Sequence, residues 1–222
     1  MASLIAREGY PFLIGSLLGA IILYAVSTTA HGYWLIIWRI LSVVIFLFAL
    51  FTAYFFRDPE RAVPYDDTAL LAPADGTIID IREVEEPLYL KEKVKRVSIF
   101  MSPLDVHINR APLNGVIDFA HYHPGKFISA FKEKASLDNE SILIGFKDSK
   151  DAQKIAVKLI AGLIARRIVF NKKEGDALRQ GDRIGMIRFG SRAELFCPLS
   201  TEIRVKIGDK VNGGLTVMGV MR

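Results

Sequence analysis

The chain has 222 residues, a net charge of +5 and a mean hydropathy of +0.28, high for a sequence with 24% charged residues, so apolar residues must be concentrated in one part of it. With 51% hydrophobic residues it can bury a core, which excludes intrinsic disorder. Its one cysteine, Cys197, excludes an internal disulfide framework and a thiolate-cluster metal site, and a lone cysteine fits a reducing compartment.

The apolar excess lies at the N-terminus. Residues 10–30 carry no charge, His31-Gly32 interrupts, and residues 33–56 are apolar except for Arg39. A helix of about 20 residues crosses the roughly 30 Å hydrocarbon core of a bilayer. The second run meets that length with Arg39 reaching toward an interface near Trp34 and Trp38. A cleaved leader and a buried soluble hairpin are alternatives. The thin basic start, followed at once by a second apolar run, favours a membrane hairpin, spanning or re-entrant. Arg7 precedes it and Arg57 and Arg61 follow it, which puts both ends, and the body, on the cytoplasmic side. Only Arg7, Arg39 and Glu8 are charged within residues 1–56. Residues 57–222 therefore form an ordinary body of net charge +4, suited to an anionic lipid surface. That is too mild for a nucleic-acid partner, and no nucleic-acid-binding motif is present.

The body reads as mainly β. After Pro59 and Pro64, Leu70-Leu71 leads into a turn over residues 72–76, and strands are expected at 77–81, 94–101, 115–120, 141–146 and 154–160. Residues 163–168 suit a helical turn or a strand equally. Residues 174–185 and 207–215 share the pattern Gly-Asp-x-apolar-x-x-Gly. They are two ordinary turns, or they resemble the turns of barrel-sandwich hybrid folds such as lipoyl and biotinyl domains; no attachment lysine for a swinging arm is evident. The fold expected is a barrel-sandwich-hybrid-like β body over residues 57–222, preceded by a helical hairpin over 1–56.

Four places could carry chemistry. Asp75, in the Ala-Asp-Gly turn, is structural or orients a histidine. His107, after a Pro-directed turn at 102–105, is a general acid/base or a structural histidine. His121 and His123, at i and i+2 in a strand, share a face, but no carboxylate or thiolate at matching spacing completes a metal site. Gly190-Ser191 is a turn, or a self-cleavage site. A serine hydroxyl can attack the preceding carbonyl, and glycine leaves room for the strained geometry. Elimination of the resulting ester leaves dehydroalanine, which hydrolyses to a pyruvoyl group. That group condenses with a substrate amine and takes up electrons when carbon dioxide leaves.

In order along the chain, these segments resemble the phosphatidylserine decarboxylases. The likeness rests on the N-terminal apolar segment, the Ala-Asp-Gly turn at 74–76, Ser-Pro-x-Asp-x-His at 102–107, Pro-Gly-Lys-Phe at 124–127, Asn139-Glu140, the run at 160–168 and Phe-Gly-Ser-Arg at 189–192. It implies a pyruvoyl-dependent carboxy-lyase acting on phosphatidylserine in the membrane, with no metal. It implies self-cleavage at Gly190-Ser191 into a β chain, 1–190, and an α chain, 191–222. The roles carried over are Ser191 as pyruvoyl precursor and His107 and Asp75 as its catalytic partners, with Arg110, Arg192, His121 and His123 as candidates for binding substrate. Longer members place a second histidine where this chain has Arg110, which cannot act as a base near neutral pH. Two other readings are a pyruvoyl decarboxylase of a soluble amino acid and a non-catalytic, membrane-anchored β-sandwich adaptor. A homo-oligomer is compatible with the sequence.

Overall fold

The structure is a computed structural model that describes residues 4–129, 131, 134–150, 153–162, 167–188 and 191–221. The chain divides into two compact units, Met1–Glu60 and Arg61–Arg222.

The first unit is an antiparallel helix pair, α1 (Tyr10–Thr29) and α2 (Tyr33–Phe55). Pro11 sits in the first turn of α1, where its missing N–H costs nothing. Gly32, at φ +57°, reverses the chain between the helices in a conformation that glycine adopts without strain. The helices meet along small residues. Gly19 faces Ile45, and the Ser42 hydroxyl donates to the Ala20 carbonyl at 2.8 Å. Outside that seam Leu18, Ile22, Ile40, Leu47 and Phe48 are all exposed. Both helices are long and apolar enough to cross a membrane.

The second unit is almost entirely β. Eight strands form one antiparallel sheet. They are β2 (Gly76–Glu86), β3 (Glu92–Met101), β5 (Gly115–His123), β6 (Ser141–Asp148), β7 (Lys154–Ile160), β9 (Ala177–Leu178), β11 (Ser191–Cys197) and β13 (Lys210–Val211), in spatial order β13-β2-β3-β11-β7-β6-β5-β9. Two three-stranded sheets accompany it. One is β1 (Ala69–Leu71), β14 (Val217–Val220) and β12 (Glu202–Ile203); the other is β4 (Ile108–Arg110), β10 (Arg183–Ile187) and β8 (Ile168–Val169). One four-residue helix, α3 (Ala135–Asp138), lies among them.

Strand alternation divides the large sheet into two faces. Ile78, Val97, Ile99, Met101, Val157, Leu159, Ala193, Leu195 and Cys197 pack inward with Leu70, Ile184, Ile187 and Met218 of the small sheets. The outer face carries Arg96, Ser98, Lys158 and Glu194, covered at one end by Tyr89, which stacks on Phe119 at 5.5 Å.

The two Gly-Asp stretches are structural counterparts. Gly175 and Gly208 both have positive φ, as do Gly181 and Gly214. Asp176 accepts from the Lys173 N–H and Asp209 from the Lys206 N–H, each at 3.0 Å. Gly175 N–H donates to Ile117 O, and Gly208 N–H to Ile78 O. β9 pairs with the start of β5, as β13 does with the start of β2. The pattern thus marks an internal repeat rather than two unrelated turns.

β2 runs five residues past its expected end. Its second half, Arg-Glu-Val-Glu-Glu, hides from an apolar pattern but pairs with lysines of β3: Glu83 opposes Lys95 and Glu85 opposes Lys93. Opposite charges across strands stabilise such a segment. Of the undecided run at 163–168, residues 163–166 lie outside the described residues and Ile168 begins β8.

Candidate active site

Ser191 opens β11 and is completely buried on the inner face. Register places it opposite Met101, the last residue of β3, and its hydroxyl donates to the Met101 sulfur at 3.3 Å. A thioether is a weak acceptor, so the serine oxygen keeps its lone pairs. Gly190, the other half of the expected cleavage site, lies outside the described residues.

β4 runs beside this point. Asn109 is fully buried, and its amide nitrogen approaches the same Met101 sulfur at 3.8 Å. His107, two residues earlier, is also fully buried. Its backbone carbonyl accepts from Ile187 N–H, four residues before Ser191. The ring Nδ1 lies 3.0 Å from the Asp105 carbonyl. A carbonyl only accepts, so in the neutral ring Nδ1 carries the proton and Nε2 holds the lone pair.

Asp75 sits in the turn before β2. Its carboxylate is held by Arg61 through two contacts, Nη1–Oδ1 at 2.6 Å and Nη2–Oδ2 at 2.8 Å, and accepts the Gly213 N–H at 2.8 Å. Arg61 also donates to the Gly213 carbonyl. Both side chains are at least nine-tenths buried. The structure thus gives Asp75 to an arginine and a backbone amide rather than to a histidine. Gly76 follows at φ +153°, and a Cβ there would strike the Phe100 carbonyl, so only glycine lets β2 enter the sheet after Asp75.

Arg110 is buried and donates to the Gly181 carbonyl at 3.0 Å. Burial, and then the like charge of Arg61, lowers its pKa, while Asp75 and Asp182 oppose that shift. The stem of Arg110 lies against Gly214, where a Cβ would come within 2.9 Å of its Cδ.

Arg192, adjacent to Ser191, points to the opposite face of the sheet. It is buried against Ser136, whose hydroxyl accepts from Nη1 at 2.7 Å, and its Nη2 donates to the Phe131 carbonyl at 3.2 Å. Burial lowers its pKa, and Glu194 opposes. His121 and His123 are exposed on that outer face, on the wall of a cavity floored by Lys158 and Glu194. The seven candidates therefore separate into an inner group of Ser191 and His107, a neighbouring charged group of Asp75 and Arg110, and an outer group of Arg192, His121 and His123. Met101, Asn109 and Arg61 join the site only in three dimensions. Asn109 lies two residues past the Ser-Pro-x-Asp-x-His segment and Arg61 stood out only as a charge flanking the apolar hairpin, whereas nothing in the sequence marked Met101.

Residues 48–219 match the family described as phosphatidylserine decarboxylase. The chain is 41% identical over 221 residues to a phosphatidylserine decarboxylase proenzyme of Magnetococcus marinus, covering 100% of this chain and 97% of that one. It is 42% identical over 218 residues to the proenzyme of Carboxydothermus hydrogenoformans, covering 96% and 94%. It is likewise 42% identical over 218 residues to that of Ehrlichia chaffeensis, covering 98% and 92%.

Proposed function

The chain belongs to the phosphatidylserine decarboxylase family, and on that premise we propose that its reaction centre forms at Ser191 by self-cleavage. The enzyme is a lyase that converts phosphatidylserine to phosphatidylethanolamine, made as a proenzyme. The readings as a soluble amino-acid decarboxylase and as a non-catalytic adaptor are not favoured.

In the processing step, the Ser191 oxygen attacks the carbonyl carbon of residue 190. The peptide nitrogen leaves that carbon and takes a proton, giving an ester. A base then removes the Ser191 Cα proton, the Cβ–O bond breaks, and residue 190 departs as a carboxylate. Water replaces the nitrogen of the remaining enamine, releasing ammonia and leaving the pyruvoyl group. His107 is the base in this scheme, with Asp105 fixing its tautomer so that Nε2 accepts the proton. Asp75 and Arg61 hold each other beside the same turn, where the Asp75 carboxylate favours the charged form of Arg110 and the Arg61 guanidinium opposes it.

The observation that carries this reading is the position of Ser191. It is the first residue of β11, and β11 lies inside the sheet, in register with β3 on one side and β7 on the other. A cut before residue 191 leaves the strand's ladder whole. The rest of the α chain is held as well, because β13 pairs with β2 and β14 with β1. The buried inner face fits a pyruvoyl group, since it is shielded from water by Met101 and its neighbours. Bound there, the group supplies an electrophilic carbonyl and an electron sink for loss of carbon dioxide. His107 is the candidate to return a proton to the substrate, supported by its burial and by an Nε2 left as the ring's acceptor. Arg110 is the candidate cation for the substrate's anionic groups, whereas Arg192 is turned to the other face of the sheet and held there by Ser136 and Phe131.

The helix pair α1–α2 anchors the enzyme in the bilayer that holds its substrate, with the body on the side of Arg7, Arg57 and Arg61, the cytoplasm. Support comes from the exposed apolar surface of both helices and from the charge bias of their flanks. The test is turnover by the full-length protein in detergent micelles. Release of carbon dioxide from phosphatidylserine but not from free serine, abolished by Ser191→Ala, is expected. Turnover surviving in Ser191→Ala would put the centre elsewhere.

A further inference from the structure

A cavity of about 370 Å³ opens on the outer face of the large sheet, within the size range of small-molecule sites. Its floor is a cross-strand row in which Ser98 of β3 opposes Glu194 of β11, Glu194 opposes Lys158 of β7, and Lys158 opposes Leu143 of β6. The walls are the turn at 86–88, α3 and the histidines of β5. Leu88 and Leu137 stand exposed at its mouth.

The charges on the floor are unequally satisfied. Glu194 is 1% exposed, and its Oε1 accepts from Ser136 Oγ at 2.6 Å, with Ser98 Oγ at 3.3 Å and Arg192 Nη1 at 3.4 Å. Arg96 is committed to Asp80 at 2.8 Å. Glu86 is used by the N–H groups of Leu88, Tyr89 and Leu90. Lys158 differs. Its ammonium donates to the Ser136 carbonyl at 2.7 Å, and among the described residues no carboxylate lies within ion-pair distance of it. Two of its three N–H groups remain to be used. Ser141, 1% exposed and on the cavity lining, has a hydroxyl with no hydrogen-bond partner among the described residues. A buried donor left in that state is costly unless a ligand takes it.

We propose that this cavity is a second anion site that takes a phosphate ester, with Lys158 as its cation, Ser141 Oγ as its hydroxyl donor, and Leu88 and Leu137 covering the group esterified to the phosphate. It is separate from the Ser191 centre. Ser191 faces the inner side of the sheet and Lys158 the outer, and the Glu194–Lys158 row lies three residues along β11, about 10 Å away. Burial lowers the pKa of Lys158, while the carboxylates of Glu194 and Glu86, beyond ion-pair distance, oppose that shift. A phospholipid headgroup and a free phosphate ester share this chemistry.

The test uses the full-length Ser191→Ala chain in detergent, which does not turn over, so that its outcome is independent of the reaction at Ser191. The probes are dihexanoyl-phosphatidylglycerol, a phosphodiester lipid, and inorganic phosphate, titrated calorimetrically. Tighter binding of the lipid assigns the site to a headgroup, and equal or tighter binding of phosphate assigns it to a soluble ester. In either case Lys158→Met should weaken binding at least tenfold and Lys158→Arg restore it to within threefold. If Lys158→Met unfolds the body, judged by labelling of buried Cys197, Ser141→Val carries the test with a loss of about fivefold. A parent chain that binds neither probe, or a folded Lys158→Met chain that binds as the parent does, overturns the proposal.

Discussion

Replacing Asp75 with asparagine removes one side of the buried pair with Arg61 while keeping the shape of the turn. The pair is bidentate at 2.6 and 2.8 Å, and its side chains are 6% and 10% exposed. The guanidinium left behind has little access to water. Breaking such a pair from one side costs about 3–5 kcal/mol, whereas removing both partners for apolar groups of similar size is often near neutral. With a urea slope of about 2 kcal/mol/M, the body's unfolding midpoint should fall by about 1.5–2.5 M. Both tryptophans, Trp34 and Trp38, lie in α2 and do not report on the body. Cys197 does, because it is the only cysteine and is buried in the body's core. Thiol labelling in urea therefore follows this transition alone. Asp75→Leu combined with Arg61→Met should recover most of the loss, leaving a coupling energy of at least about 2 kcal/mol in the cycle. A single-variant cost below about 1 kcal/mol, or simple additivity, would refute the assignment of Asp75 and Arg61 to one buried unit.

Three further outcomes are expected. His107→Ala should slow self-cleavage by about 10²–10⁴-fold, the usual contribution of a general base, measured as loss of full-length chain with time; cleavage at the parent rate would remove His107 from the scheme. Gly76→Ala forces a Cβ against the Phe100 carbonyl at a φ that side chains rarely adopt, and should destabilise the body by at least about 1–3 kcal/mol; an unchanged urea midpoint would contradict the local geometry. Burial pushes the Cys197 thiol up to about 11 from 9.0. A folded-state pKa raised in this way stabilises the fold fully below pH 9 and is lost as pH rises through 11. Stability should therefore fall across that window, and Cys197→Ala should flatten the fall; identical slopes would show that other groups set it.

The long elements were legible because their signals are regular. Two apolar runs, the second broken only by Arg39, became α1 and α2, and the alternating segment at 94–101 and the apolar segments at 141–146 and 154–160 became strands of the large sheet. The strands of two to five residues in the small sheets offered no period to read, and the charged half of β2 shows its pairing only when β3 lies beside it. The Gly-Asp repeat was visible as a pattern, but its meaning needed the matching hydrogen bonds to Ile78 and Ile117. At the site, residues able to do chemistry could be named from the sequence, yet their grouping could not. Ser191 and Arg192 are adjacent in the chain and face opposite sides of the sheet. Asp75 finds Arg61, fourteen residues earlier, in a linker that carried no motif. Met101 drew no attention because an apolar residue at the end of a strand reads only as core.

The central claim is that the chain cuts itself before residue 191 and converts that serine to a pyruvoyl group. Intact-mass measurement of the purified full-length protein tests it most directly. Scaled from 24.8 kDa for 222 residues, the α chain 191–222 should weigh roughly 3.5 kDa, be lighter by one ammonia than the serine-ended peptide, and be absent from Ser191→Ala. A single species at 24.8 kDa in active enzyme, or a small chain that keeps its serine, would contradict the account.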